Sequence, residues 1–136
     1  MKVKLDYGAK LPTRAHEADA GLDLYARDSA MIWAGKSEVF DTGVHIALPK
    51  DTVGYIESKS GLCVKYGIIT TGTIDEGYTG SIKVKLFNLG DTHYYINKGD
   101  KIAQLVIHPI IKPELELADA LEDTERGSNG FGSSGR

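Results

Sequence analysis

Carboxylates set among glycines are the residues of this chain best placed to do chemistry. Gly72-Thr73-Ile74-Asp75-Glu76-Gly77-Tyr78-Thr79-Gly80 holds three glycines in nine residues, a spacing that fixes tight backbone geometry around Asp75 and Tyr78. An aspartate held this way suits a general base for a water, and a tyrosine three residues on can pack on a sugar ring. The same stretch also suits a hairpin with polar turn residues. Ala20-Gly21-Leu22-Asp23-Leu24 places a carboxylate between two core-type leucines, where its charge calls for a partner. It reads equally as a strand-end aspartate bonded to backbone. Ser58-Lys59-Ser60-Gly61-Leu62 offers two hydroxyls and an ammonium beside a predicted helix start, either as a phosphate-binding turn or as an ordinary helix cap.

Other chemistries find little support. Ala34-Gly35-Lys36-Ser37 contains the Gly-Lys-Ser of a P-loop, but Ala30 stands where the first glycine is needed and no helix follows. Histidines 16, 45, 93 and 108 are scattered, without the close pairing of a protein-held zinc site. No GxSxG nucleophile elbow occurs. Cys63, the single cysteine, follows a leucine in an apolar-leaning stretch and is expected to pack in the interior; alone it excludes an internal disulfide. A net charge of −3 provides no basic field for nucleic acid. A polyanionic ligand must then be met by local cations, a bound metal ion or backbone amides. No apolar run reaches membrane-spanning length, and Met-Lys-Val-Lys-Leu-Asp at the start lacks a signal-peptide core. A cytoplasmic protein without membrane contact is expected.

These turns need a scaffold, and 136 residues supply one domain with a core of its own. Sixteen glycines and short alternating runs favour an all-β sandwich or barrel over βαβ units. Alternation is cleanest in Ile82-Lys83-Val84-Lys85-Leu86 and recurs in Val44–Leu48. Further strands are expected near Val3–Leu5, Leu22–Tyr25, Gly54–Glu57, Gly67–Thr70, Tyr94–Ile96 and Ile102–Ile107, with a helical turn or two only at Gly61–Tyr66. From Pro113 the character changes. Residues 114–126 carry six acidic residues against one basic, then give way to Arg-Gly-Ser-Asn-Gly-Phe-Gly-Ser-Ser-Gly-Arg. Residues 1–112 thus form the body, and residues 113–136 an arm that contacts must order.

Taken in order, AGLDLYA, SKSGL, GTIDEGYTG, GDKIAQLVI and RGSNGFGSSG resemble the five motifs of the trimeric dUTP diphosphatases, the dUTPases. The resemblance runs from about residue 19 to the C-terminus. It implies a distorted jelly-roll-type β-barrel with a flexible C-terminal arm, assembled as a homotrimer whose active sites are shared between subunits. The implied reaction is Mg2+-dependent hydrolysis of dUTP to dUMP and pyrophosphate by water attack on the α-phosphorus. By motif position Asp75 would deprotonate the water, and Asp23 would support the network through metal-bound waters or by orienting neighbours. Mg2+ would be held mainly by substrate phosphates and waters. Lys59, Ser60, Gly61 and Gln104 would bind phosphates, and Tyr78 would lie under the deoxyribose. Ile69 to Ile74, including Gly72 and Thr73, would read uracil, with Lys83 near the nucleotide. From the arm, Arg126 would clamp the γ-phosphate, Phe131 would stack on uracil, and Gly132, Ser133 and Ser134 would approach the phosphates.

The sequence departs from the family pattern in three places. Lys59 stands where arginine is usual, exchanging a planar fork for a point charge. Gly77 and Ser81 replace a common aspartate and glutamate. Tyr66–Thr71 is short and lacks the usual asparagine, which leaves Thr70 or Thr71 to take its part. Two rivals remain: a dCTP deaminase of the same fold, for which Glu76 beside Asp75 is thin support, and a non-catalytic nucleotide sensor.

Overall fold

Alternation is realised where the sequence shows it most cleanly: Ile82, Val84 and Leu86 are buried while Lys83 and Lys85 are exposed, so one face of this strand lies on the core. The computed structural model describes residues 1–130. Along them run β1 (Lys2–Leu5), β2 (Leu22–Tyr25), β3 (Ala30–Ile32), β4 (Ser37–Asp41), β5 (Val44–Ala47), β6 (Thr52–Ser58), α1 (Ser60–Tyr66), β7 (Ile68–Ile69), β8 (Thr71–Ile74), β9 (Lys83–Asn88), β10 (Tyr94–Ile96) and β11 (Lys101–Pro109).

The strands pair antiparallel in four sheets of order β1-β5, β10-β3, β2-β11-β6-β8 and β4-β9-β7. The mostly β expectation holds, but among the described residues the sheets do not close into a barrel. The bond from Ile82 N to Val44 O (2.8 Å) bridges two of them only at a point. Strands as short as β3, β7 and β10 cannot carry a continuous ladder, so side-chain burial joins the sheets. Val44 and Ile46, Ile32 and Ile96, Leu24, Ile56, Ile102 and Leu105, and Val84, Leu86 and Ile68 come from the four sheets and meet in one core. Each such side chain contributes about 1.5–3 kcal/mol on full burial.

Two local differences from the sequence reading bear on the site. The strand expected at Gly67–Thr70 is divided: β7 pairs with β9, and the chain then crosses to another sheet as β8 beside β6. Gly67 ends α1 at φ 67°, a left-handed conformation that glycine adopts without strain and that cannot begin a strand. Ser58 pins the crossing, donating from Oγ to Thr70 O and accepting from Thr70 N, both at 2.9 Å. Cys63 is half-buried and not the core residue expected, because α1 buries none of its residues fully.

Beyond β11, residues 111–130 form no helix or strand and are exposed; Leu115, Leu117 and Leu121 stand at 97%, 101% and 90% exposure. No helix among the described residues is long and apolar enough to cross a membrane.

Candidate active site

Half of the candidate site is built on the four-stranded sheet. Register sets Asp23 of β2 opposite Gln104 of β11, Gln104 opposite Glu57 of β6, and Glu57 opposite Thr71 of β8. Directly opposed residues share a face, so these four form one row across it. Lys59 follows the end of β6 and Lys101 opens β11, and both reach the same carboxylate. Lys59 Nζ lies 2.5 Å from Asp23 Oδ1 and Lys101 Nζ 2.6 Å from Asp23 Oδ2.

Asp23 is 5% exposed. Burial alone would push its carboxyl up, but the hydrogen bonds and charges of Lys101 and Lys59 together outweigh burial and hold it below the ordinary aspartate range. The same hydrogen bond holds the Lys101 ammonium above its ordinary value. The buried charge that looked wasteful in the sequence is thus paired twice. Leaving it unpaired would cost on the order of a few kcal/mol.

Above this pair opens a cleft of about 360 Å³ lined by Gly21, Asp23, Lys59, Lys101, Gln104 and Val106 among others. The lysines reach its surface, with 29% and 42% of their side chains exposed, while Asp23 lies beneath them. Asp19 also lines the cleft, but its Oδ2 accepts from His16 N at 2.9 Å. Gln104 Nε2 donates to Ser58 O at 3.2 Å, and a Cβ at Gly21 would overlap the Gln104 side chain. The glycine of AGLDLYA is therefore the space in which Gln104 sits. Ammonium groups and an amide above a buried carboxylate suit an oxyanion-rich ligand.

Asp75 lies elsewhere. It stands exposed where β8 ends, in a turn closed by Tyr78 N donating to Asp75 O at 2.9 Å. It is separated from Asp23 by three strand spacings and by four residues along β8. At ~4.8 Å per spacing and ~3.3 Å per residue this places the two aspartates roughly 20 Å apart. Tyr78 folds back so that its hydroxyl donates to Ser81 O at 3.0 Å. A Cβ on Gly80 would run into its ring, so the glycine lets the ring lie flat against the turn.

The structure gathers Asp23, Lys59 and Gln104 in the cleft, and sets Gly72, Thr73, Ile74, Asp75 and Tyr78 together at the other edge of the sheet. Ser60 and Gly61 open α1 and are exposed; its N-cap is Lys59, without a side-chain capping bond, so neither serine serves as the cap. Lys83 begins β9, opposite Asp41, and is exposed. Of the two threonines, Thr70 is buried with its Oγ1 unpartnered among the described residues, whereas Thr71 is exposed. Arg126 is exposed, and its Nε donates to Asn129 O at 3.0 Å. Phe131, Gly132, Ser133 and Ser134 lie outside the described residues.

The family model described as dUTPase matches residues 8–135. The chain belongs to the dUTPase family. The deoxyuridine 5'-triphosphate nucleotidohydrolase of Clostridium tetani is 44% identical over 140 residues, covering 100% of this chain and 97% of that protein. The dUTPase of Staphylococcus bacteriophage 80alpha, a point mutant with dUpNHpp, has a TM-score of 0.93 at 33% identity, covering 99% of this chain and 98% of that one. A point mutant of the dUTPase of phage phi11 of S. aureus, described with the coordination of a structural Mg(II) ion, has a TM-score of 0.83 at 31% identity, covering 90% and 98%.

In this dUTPase chain two contacts near the site escaped the sequence reading. Lys101 sits in the quoted GDKIAQLVI, yet simple alternation puts residues 101 and 104 on opposite faces. The register shift between Lys101 and Ala103 resets the alternation and turns Lys101 toward Asp23. Glu76 is held by Lys112 Nζ and by Asp51 N at 3.0 Å, which ties the Asp75 turn to the root of the arm. The Lys112 hydrogen bond, ahead of that from Asp51, holds the Glu76 carboxyl below its ordinary value. Residues 25 and 36 positions away leave no local pattern for this contact.

Proposed function

We propose that the chain, an enzyme of the dUTPase family, hydrolyses dUTP to dUMP and pyrophosphate. In cells this limits uracil incorporation into DNA and supplies dUMP for thymidylate synthesis. The observation that carries the reading is the separation of the oxyanion cleft from Asp75. A triphosphate seated over Lys59 and Lys101 of one copy cannot reach Asp75 of the same copy across roughly 20 Å of sheet. A second copy must therefore bring it. We take the assembly to be a homotrimer with sites at its interfaces, built from jelly-roll bodies of residues 1–112 whose arms, residues 113–136, cover the sites.

In that assembly Lys59, Ser60, Gly61 and Gln104 bind the phosphates, and Lys101 joins them. Asp75 orients a water and takes its proton as the oxygen attacks the α-phosphorus. The bond from the α-phosphorus to the bridging oxygen breaks, and pyrophosphate leaves. Tyr78 forms the floor under the deoxyribose, where a 2′-hydroxyl would not fit. The β8 hairpin reads uracil through Gly72, Thr73 and Ile74, with exposed Thr71 in the place of the family's asparagine and Lys83 near the nucleotide. Arg126 clamps the γ-phosphate. Phe131 stacks on the base, and Gly132, Ser133 and Ser134 close over the phosphates.

Among the described residues no three His, Cys, Asp or Glu side chains gather as a metal cage, and each Asp23 oxygen already faces a lysine. That donor set fits an Mg2+ ion carried on the triphosphate oxygens and water, with Asp23 touching it only through water. Bound there, the ion would offset charge on the phosphate oxygens.

The reading is tested with the purified protein, Mg2+ and, separately, dUTP, dTTP, dCTP and UTP. Release of pyrophosphate and dUMP from dUTP, with little turnover of the other three, is expected. Ammonia from dCTP would replace the reading with the deaminase, and binding without any product would replace it with the sensor.

A further inference from the structure

The turn that carries Tyr78 is held from behind by a chain of charged groups that the proposed reaction does not use. His45 of β5 points both ring nitrogens at oxygens that can only accept. Its Nδ1 lies 2.9 Å from the carbonyl of Thr79, and its Nε2 lies 3.1 Å from Asp6 Oδ1. Both nitrogens must carry a proton to satisfy both contacts, so the geometry is that of the imidazolium. From Asp6 the chain continues to Arg27, whose Nη1 is 3.5 Å from Asp6 Oδ2 and whose Nη2 is 3.7 Å from Asp41 Oδ2. Asp41 accepts from Gly43 N at 3.0 Å and from the hydroxyl of Ser81. The path therefore leaves the turn at Thr79 and returns to it at Ser81. Ser81 O is also the acceptor for the Tyr78 hydroxyl.

We propose that His45 is a positioning residue for Tyr78: by donating from both ring nitrogens, to Thr79 and to Asp6, it fixes the floor that rejects a ribonucleotide. The inference rests on the reading that Tyr78 lies under the deoxyribose. Neutral His45 keeps one proton, so one lone pair faces either the Thr79 carbonyl or the Asp6 carboxylate and that contact turns repulsive. Either loss breaks the path that holds Thr79 from behind, and the fit that excludes a 2′-hydroxyl loosens. Misplacement on the scale of an ångström alters rates by up to about a hundredfold.

The charged groups around the ring are Asp6, Lys4 directly across on β1, Lys2 along the same groove, and Arg27 with Asp41 behind Asp6. Hydrogen bonding to the Thr79 carbonyl, then to Asp6, raises the imidazole above its ordinary value of 6.5, against partial burial and the charge of Lys4. A raised value means the charged form is complete at lower pH and is lost as pH rises past it. The clamp is therefore intact near pH 6 and released on the alkaline side.

The test is the ratio of kcat/KM for dUTP to that for UTP as a function of pH. Any titration of Asp75 or of the phosphates is shared by the two substrates and cancels. In the wild type the ratio is expected to fall about tenfold as pH rises, with a midpoint above 6.5. Asp6→Asn should move that midpoint to lower pH. His45→Gln, whose two N–H groups share one nitrogen and so cannot span oxygens set on either side of an imidazole, should give a low ratio that no longer varies with pH. In NMR spectra of the wild type, the Tyr78 ring signals should titrate together with His45. A wild-type ratio independent of pH would overturn the inference, as would a midpoint that Asp6→Asn leaves in place. His45→Gln with the wild-type ratio and profile would overturn it too. Should that variant fail to fold, the wild-type and Asp6→Asn profiles decide alone. Absence of turnover of both nucleotides by the wild type would instead overturn the functional reading.

Discussion

Replacing Asp75 by asparagine should leave nucleotide binding within about threefold of the wild type and lower kcat by about a thousandfold, within the range that a positioned general base contributes. Asparagine keeps the size and shape of the side chain but cannot take a proton from water at neutral pH. The fold should not notice the change, because Asp75 is exposed at the end of β8 and the turn is closed by its backbone oxygen. Binding should survive because in the proposed site the phosphates rest on Lys59, Lys101 and Gln104, while Asp75 acts on the attacking water. Equilibrium titration with a non-hydrolysable dUTP analogue and single-turnover kinetics separate the two effects. A kcat within tenfold of the wild type would remove Asp75 from the role of base, and a matching loss of binding would mean it holds substrate instead.

Deleting residues 127–136 should leave assembly and melting temperature unchanged while lowering turnover of dUTP by about a hundredfold or more. The structural half of this expectation follows from the exposed arm: Leu115, Leu117 and Leu121 pack on no core of their own chain, and β11 ends the last sheet at Pro109. The catalytic half follows from composition. Residues 127–136 have one large apolar side chain, Phe131, among glycines and serines, and in the proposed site that ring stacks on the base. The truncated chain keeps Arg126, so the loss measures closure over the base and phosphates and not the γ-phosphate clamp. Size-exclusion chromatography, thermal melting and steady-state kinetics on the same preparation provide the comparison. Full turnover after truncation would make the arm dispensable.

What the sequence made legible was local. Alternation in Ile82–Leu86 identified a buried face, and the clustered glycines of Gly72–Gly80 marked the turn that exposes Asp75 and stacks Tyr78 over Gly80. Asp23 between two leucines announced a buried carboxylate in need of a cation. The cation's identity was less legible, because Lys101 reaches it only through a bulge that breaks the alternation. The division of Gly67–Thr70 was hidden for a related reason. Segments of two to five residues acquire their strand character from partners distant in sequence, as β3 does from β10 and β4 from β9. Other long-range polar contacts left no trace. Nothing in Val44–Leu48 indicates that His45 meets Thr79, 34 residues away, nor does Glu76 foretell Lys112.

The central claim, that each active site takes its cleft from one copy and its base from another, is tested most directly by mixing two defective chains. Asp75→Asn keeps the cleft and lacks the base; Lys59→Ala keeps the base and lacks a phosphate cation. Unfolded together in equal amounts and refolded, they should recover about one quarter of wild-type activity, because in a closed ring of randomly mixed copies that fraction of sites pairs an intact cleft with an intact Asp75. Each variant refolded alone should stay nearly inactive. A mixture no more active than the mean of the two separate variants would contradict the account and place the whole site within a single chain.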